Sequence, residues 1–426
     1  EGSKMSVYDQ TLAPKNACLC FSGGVTSVLS TICYSVYQAI ESQSTIGSLY
    51  IGKNGVQGLL KNQLYHLTSE HAQWMESMQH NPSIPFGSCR YKLGDQEDEY
   101  LKIIDTFKKH RIGYFFYNGG NDSADTALKV SKISKDLGYD LTCVAIPKTV
   151  DNDLVITDSC PGFGSAAKYI ATSTLEGSLD VQSMSETSTK VFILEVMGRH
   201  AGWMAASSIL AKRNNQNAPH IILLPEVAFN QKNFLAEVRK SVNSDGYCVV
   251  VVSEGVRNSR GKFLAETDTK DAFGHTQLGG VAPFIANLIT SKLKYKNHWA
   301  VADYLQRSAR HLASKTDFDH AQAVGIHAVK YALKGMNGTM PVIKRLAGRK
   351  YKWVVEPAPV SKIANLEKKL PKSFISKNGF SITKKGIDYL QPLINGEAPV
   401  KFKDGIPLIK ELKLELEKKK LDRWDG

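Results

Sequence analysis

The sequence predicts an α/β protein with two doubly wound, Rossmann-like units and a C-terminal helical extension. Three observations carry this expectation. Strand-length apolar runs alternate with stretches whose apolar residues recur at helical spacing, the signature of a mostly parallel sheet covered on both faces. The runs stop at glycine-rich or polar loops, as Tyr114 to Tyr117 does before Gly119-Gly120-Asn121-Asp122-Ser123. The alternation restarts after a helical stretch near 162–177, which marks a second unit.

The first strand is Ala17 to Phe21, followed by a tight Ser22-Gly23-Gly24 turn. Val25, Val28, Leu29, Ile32, Cys33, Val36, Tyr37 and Ile40 then share one helix face. A short strand, Ser48 to Ile51, leads into the glycine-rich 52–58 stretch and on to the Gly87-Ser88-Cys89-Arg90 turn. The runs Tyr114 to Tyr117 and Leu141 to Ile146 flank a helix marked by Ala127, Val130, Ile133 and Leu137, which Gly138 can end. In the second unit the strands are Lys190 to Val196, His220 to Leu224 and Tyr247 to Val252. They stop at Met197-Gly198-Arg199, Pro225-Glu226 and Ser253-Glu254-Gly255-Val256-Arg257. Near the end, Ile409, Leu412 and Leu416 recur at helical spacing among lysines, which predicts an amphipathic helix with a solvated basic face. The expected division is 12–165 for a larger unit completed by about 312–370, 166–311 for a smaller one, and 371–426 for the extension.

At 426 residues the chain is long enough for two or three cores, and its longest apolar runs, such as Cys248 to Val252, fall far below a membrane span. Glu1 to Lys4 are polar and show no secretory signal, and the seven cysteines lack metal or redox spacing, so a cytoplasmic protein is expected. A net charge of +13 suits nucleic acid, an anionic surface or an anionic small substrate. Much of it lies in Lys368-Lys369, Lys384-Lys385 and Lys418-Lys419-Lys420, and no basic cluster is interleaved with aromatics, so neither a nucleic-acid nor a membrane partner is expected.

The chemistry concentrates at two strand ends. Pro147-Lys148-Thr149-Val150-Asp151-Asn152-Asp153 places a lysine and two spaced carboxylates after one strand, and Gly119 to Ser123 follows the other. In open α/β sheets ligands bind outside the carboxyl ends of the strands, so these loops should share a crevice. Asp-Asn-Asp is also good turn chemistry, and Asn121, Asp122 and Ser123 are good helix caps. Phosphoryl transfer supplies a sharper role for the acids: a base takes the proton of the attacking hydroxyl while cations hold the phosphoryl group. Glycines in Ser22-Gly23-Gly24 and Gly119-Gly120 would let backbone N–H groups approach phosphate. The near P-loop at 47–53 carries Asn54 where Ser or Thr is required, and neither a dinucleotide fingerprint nor a His-Glu-x-x-His zinc motif is present.

Seven motifs occur in the order seen in phosphofructokinases, and the chain resembles that family from about Asn16 to Leu366. They are Ser22-Gly23-Gly24, Gly87 to Arg90, Gly119 to Ser123, Pro147 to Asp153, Glu195 to Arg199, Glu254-Gly255 and Gln306-Arg307. The resemblance implies that Asp151 is the general base for a sugar C1 hydroxyl, with Thr149 and Asp153 beside it and Arg90 on the transferring phosphoryl group. It implies that Met197, Gly198, Arg199, Glu254 and Tyr304 hold fructose 6-phosphate, with Thr149 also on the substrate. Arg307 and Arg310 would bind its phosphate, and Lys190 would reach a neighbouring subunit's site. Gly23, Gly24, Gly120, Asp122, Ser123 and Lys148 would bind the donor.

Asp122 and Lys148 stand where the ATP-using members carry glycines, which resembles the pyrophosphate-dependent branch. A carboxylate there obstructs and repels an α-phosphate, and a lysine balances a compact polyanion. Mg²⁺ is the implied cofactor, with Asn121 and Asp122 as its protein ligands, although Asn121 replaces an aspartate found in many members. The expected activity is reversible transfer from pyrophosphate to O1 of fructose 6-phosphate, by a homodimer or homotetramer. The alternatives are an ATP-dependent enzyme and a non-catalytic sugar-phosphate-binding subunit.

Overall fold

A computed structural model describes residues 14–418 apart from 96, 214–215, 271–275 and 279. The first half alternates strands and helices as the hydrophobic periodicity requires. The strands are β1 (Lys15–Phe21), β2 (Ile46–Gly52), β3 (Leu64–Leu67), β4 (Ile112–Gly119) and β5 (Thr142–Pro147). Next come β6 (Val191–Val196), β7 (Ile221–Leu223), β8 (Cys248–Ser253), a small hairpin of β9 (Glu266–Lys270) and β10 (Thr276–Leu278), and β11 (Asn297–Val301). The chain then returns through β12 (Thr339–Arg345) and β13 (Trp353–Pro359).

Two sheets organise these strands. The larger has seven in the order β13-β12-β5-β4-β1-β2-β3, parallel except at its two ends, where β3 and β13 run antiparallel to their neighbours. The smaller is parallel, in the order β11-β6-β8-β7. Burial on both faces explains the continuous apolar runs: along β1, Ala17, Leu19 and Phe21 enter one core while Cys18 and Cys20 enter the other. The helices Leu29–Glu41 and Lys315–Leu333 cover the first face, and Glu97–Lys109 and Asn121–Asp136 the second. β6 divides in the same way, with Val191 and Ile193 on one side and Leu194 and Val196 on the other. The cysteines are unpaired, six of them buried. Among the described residues no helix is long and apolar enough to cross a membrane.

The C-terminal segment corrects the sequence reading. A single seven-residue α-helix, Lys384–Leu390, lies among the described residues of 371–418, and the expected helix through Ile409, Leu412 and Leu416 is absent. That stretch is extended, and Leu412, Leu414 and Leu416 pack on the first core with a period of two. Backbone pairing decides the outcome. Asn81 exchanges two hydrogen bonds with the Lys410 backbone at 2.8 and 2.9 Å, and Trp74 Nε1 donates to the Glu411 carbonyl at 3.0 Å. The Glu417 N–H reaches the Leu64 carbonyl at 2.7 Å, on the free edge of β3. Lys419 and Lys420 lie outside the described residues.

Candidate active site

The carboxyl ends of β1, β4, β5, β6 and β8 open onto one cleft of about 650 Å³, with Tyr304 and Arg307 beyond β11 completing the wall. The two strand-end loops singled out in the sequence therefore do meet. Of the residues named from sequence, Gly23, Gly24, Arg90, Gly120, Asn121, Asp122, Ser123, Lys148, Thr149, Asp151 and Asp153 line the cleft from the larger sheet. Met197, Arg199, Glu254, Tyr304 and Arg307 line it from the smaller one.

Three named residues do not line it. Gly198 lies behind the wall, where its N–H donates to Glu254 Oε1 at 3.2 Å and its carbonyl accepts from Ser253 Oγ at 2.5 Å. Lys190 precedes β6 at the end of the sheet opposite the cleft, its ammonium on the carbonyls of Ser185 and Glu186. Arg310 is the clearest departure. It is 1% exposed, Nη2 donates to the Pro399 carbonyl at 2.6 Å, and the guanidinium lies 5.5 Å from the Phe318 ring centre. The chain turns at Ala309, between the short helix Leu305–Ser308 and the 3₁₀ turn Arg310–Leu312, and this carries Arg310 under the C-terminal segment while Arg307 stays in the cleft.

Local geometry explains how the acids are presented. Asn152, between them, adopts a left-handed backbone (φ 53°) and is completely buried. Its amide donates to the Tyr389 hydroxyl at 3.0 Å and accepts from the Cys160 N–H at 2.9 Å, which anchors the turn and leaves Asp151 and Asp153 facing the cleft. The Asp151 N–H donates to Thr149 Oγ1 at 3.1 Å. The sequence marks Asn152 as turn chemistry but not its anchors Cys160 and Tyr389, which lie eight and more than two hundred residues away.

The cleft is a cationic pocket around a buried carboxylate. Burial raises the affinity of Asp151 for a proton, opposed by Lys148, Arg90, Arg307 and Arg199. Burial, helped by Asp151 and Glu367, pushes Asp153 up to about 7, and burial with Asp151 nearby pushes Glu254 to about 7. Lys148 moves the other way, down to about 7, because its ammonium is buried and faces Arg307 and Arg90. Its Nζ donates to the carbonyls of Ser22 at 2.8 Å and Gly24 at 2.5 Å, so it ties the β1 and β5 loops together. A Cβ on Gly24 would stand 2.4 Å from Arg307 Nη1 and 3.3 Å from Arg90 Nη2, so a side chain there would push the two guanidinium groups aside. A buried base among cations suits the deprotonation of a hydroxyl that attacks a polyanion.

Asn121 differs from its expected role. Its side-chain N–H donates to the Leu366 carbonyl while its Oδ1 accepts from the Asn365 N–H at 2.5 Å, so both ends of the amide are engaged. Asp122 is the neighbouring acid in the cleft. Among the described residues no group of three or more His, Cys, Asp or Glu side chains forms a metal cage. Asn365, Leu366 and Glu367, with His200 opposite, line the cleft without having been foreseen.

Comparison with known proteins identifies a family. A family profile described as Phosphofructokinase matches residues 16–332. The chain is 53% identical over 405 residues to the pyrophosphate--fructose 6-phosphate 1-phosphotransferase of Halomonas elongata, covering 94% of this chain and 97% of that protein. It is 51% identical over 410 residues to the protein of the same name from Xanthomonas campestris pv. campestris, covering 95% and 98%. A crystal structure of a pyrophosphate-dependent phosphofructokinase from Marinobacter aquaeolei superposes with a TM-score of 0.88 at 50% identity, covering 96% of this chain and 98% of that one.

Proposed function

This chain belongs to the phosphofructokinase family, and from that premise we propose that it transfers a phosphoryl group from pyrophosphate to O1 of fructose 6-phosphate, reversibly, giving fructose 1,6-bisphosphate and phosphate. The observation that carries the choice of donor is the pair Asp122 and Lys148, both in the cleft with Asp151. Asp122 fills and charges the space an α-phosphate would need, and Lys148 sets a cation against a compact donor. The names and high coverage of the Halomonas and Xanthomonas relatives support the same donor and sugar.

In this mechanism Asp151 accepts the proton of the O1 hydroxyl, and its burial keeps it basic enough to do so. Arg90 balances the charge of the transferring group. Thr149 and Asp153 flank the base, and Ser123 and the backbone of Gly23, Gly24 and Gly120 offer donors to phosphate oxygens. Met197, Arg199, Glu254 and Tyr304 hold the sugar and Arg307 its 6-phosphate. Arg310 is left out of this set, since it is buried outside the cleft with Nη2 on the Pro399 carbonyl. Mg²⁺ fits if Asp122 is its protein ligand and pyrophosphate supplies most of the rest, the usual way a magnesium–phosphate pair is held; Asn121 is the weaker candidate, its uncharged amide oxygen already accepting from the Asn365 N–H. The metal would neutralise the donor's charge. Lys190, across the sheet from its own cleft, suits a homodimer or homotetramer in which it serves a neighbouring subunit.

The test is sugar-bisphosphate formation from fructose 6-phosphate with pyrophosphate, ATP or no donor. Product with pyrophosphate alone is expected. A wild-type protein that uses ATP in preference refutes the proposal.

A further inference from the structure

The segment Ile363 to Leu370 follows the residues matched to the family and crosses the mouth of the cleft, tied to both sides of it. On the donor side it pairs with the first turn of the helix Asn121–Asp136. Asn121 grips the backbone of 365 and 366 through both ends of its amide, and Asn365 Nδ2 donates to Asp125 Oδ1 at 3.0 Å. On the other side Glu367 Oε1 lies 2.7 Å from His200 Nδ1, and the Trp203 indole donates to the Lys368 carbonyl at 2.9 Å. Two further bonds fix the segment's height above the floor. The Lys368 N–H donates to the Asp153 carbonyl at 2.7 Å, and the Leu370 N–H to Glu226 Oε1 at 3.0 Å, which also holds Gly202 N at 2.9 Å.

We infer that this segment is a latch that sets the length of the phosphate donor, a specificity determinant separate from Asp122. A donor held by the Gly120 to Ser123 loop and by Lys148 has the latch directly over the helix start at 121 and 125. Pyrophosphate ends before it. A donor that carries a nucleoside beyond its phosphates must displace the 365–367 backbone and break these hydrogen bonds. The latch also gives Asn121 a reason. An amide donates to one carbonyl and accepts from the adjacent peptide N–H, whereas an aspartate could accept but would set its negative charge against the Leu366 carbonyl.

This inference rests on pyrophosphate being the donor, and the wild-type donor assay decides that point by itself. The latch is tested by calorimetry with ADP and with pyrophosphate on full-length protein. Asp122→Gly removes the first barrier, and Asn365→Ala or Glu367→Gln is added to loosen the segment. Each loosened double variant is expected to bind ADP about tenfold more tightly than Asp122→Gly, the scale of one or two hydrogen bonds no longer broken. Pyrophosphate affinity should shift by less than about threefold, since that donor never meets the segment. Equal ADP affinity in single and double variants, or no ADP binding in any of them, overturns the latch while leaving pyrophosphate use intact. So does an equal loss of both ligands, which would mark the segment as scaffold only. The two added substitutions act on opposite sides of the cleft, so misfolding of one, seen in a thermal melt, leaves the other to decide.

Discussion

Binding of pyrophosphate is expected to draw a proton onto Lys148. In the free protein burial, with Arg307 and Arg90 close by, lowers this ammonium to about 7 from its ordinary 10.5. A polyanion arriving in the cleft reverses the charge imbalance and raises it again. At pH 8 about nine-tenths of Lys148 is neutral before binding, so close to one proton is taken up; at pH 6 the uptake falls to about one-tenth. The sign follows from the complex having the higher pKa. The lysine's contribution to affinity is fully present below about 7 and is lost as pH rises through the pKa of the complex, at up to about tenfold per unit. Isothermal calorimetry in two buffers of different ionisation enthalpy reads the uptake directly, at both pH values, for wild type and Lys148→Met. Pyrophosphate's own ionisation is common to both proteins and cancels in the difference. Equal uptake by the two at pH 8 refutes the assignment of the proton to Lys148.

Asp151→Asn should lower turnover about 10²- to 10⁴-fold in both directions, the usual worth of a general base, with calorimetric affinities for both substrates little changed. Arg307→Ala removes a cleft cation, the one proposed to bind the 6-phosphate, and should raise the KM for fructose 6-phosphate about 10- to 100-fold, as expected for charge-assisted hydrogen bonds, with a smaller effect on kcat. Gly255→Ala should impair sugar binding without touching the substrate itself. Its Cβ would fall 1.9 Å from the Arg199 carbonyl oxygen and 2.5 Å from that of Gly198, so the 198–199 backbone has to move, and a normal KM would disprove this. Mixing inactive Lys190→Ala and Asp151→Asn chains should restore part of the activity if subunits share sites, and verified hybrids that stay inactive would exclude sharing.

Much of this site could be read from the sequence because its residues lie in loops that directly end buried strands. β4 and β5 are apolar on both faces, and the switch to Gly119-Gly120-Asn121 and to Lys148-Thr149 marks where each leaves the sheet. Contacts between distant segments were not legible. Nothing in Asn365-Leu366-Glu367 distinguishes it from an ordinary polar loop, and its pairing with Asn121 spans more than two hundred residues. Arg310 follows Arg307 by three positions, yet the turn at Ala309 separates their surroundings completely. The C-terminal stretch carries two periodicities at once: Ile409, Leu412 and Leu416 fit a helix, while Leu412, Leu414 and Leu416 fit a strand. Distant partners decide between them: Asn81, Trp74 and the open edge of β3, itself a four-residue strand with no clear sequence signal.

The order of strands in the larger sheet has a consequence for how the polypeptide is made. All four strands of the smaller sheet lie between residues 191 and 301, so that unit has every strand it needs well before synthesis finishes. The larger sheet starts first and ends last. Its β5 edge waits for β12, at residue 339, while its β3 edge waits for the chain near 416. At translation rates of about 5–20 residues per second the gap between 147 and 339 keeps one flank of a hydrophobic sheet without its partner for roughly ten to forty seconds. A ribosome stalled late in that interval, between residues 301 and 339, would hold a nascent chain whose smaller sheet has all its strands while its larger sheet is still open, the state in which chaperone capture and unwanted strand pairing compete most directly.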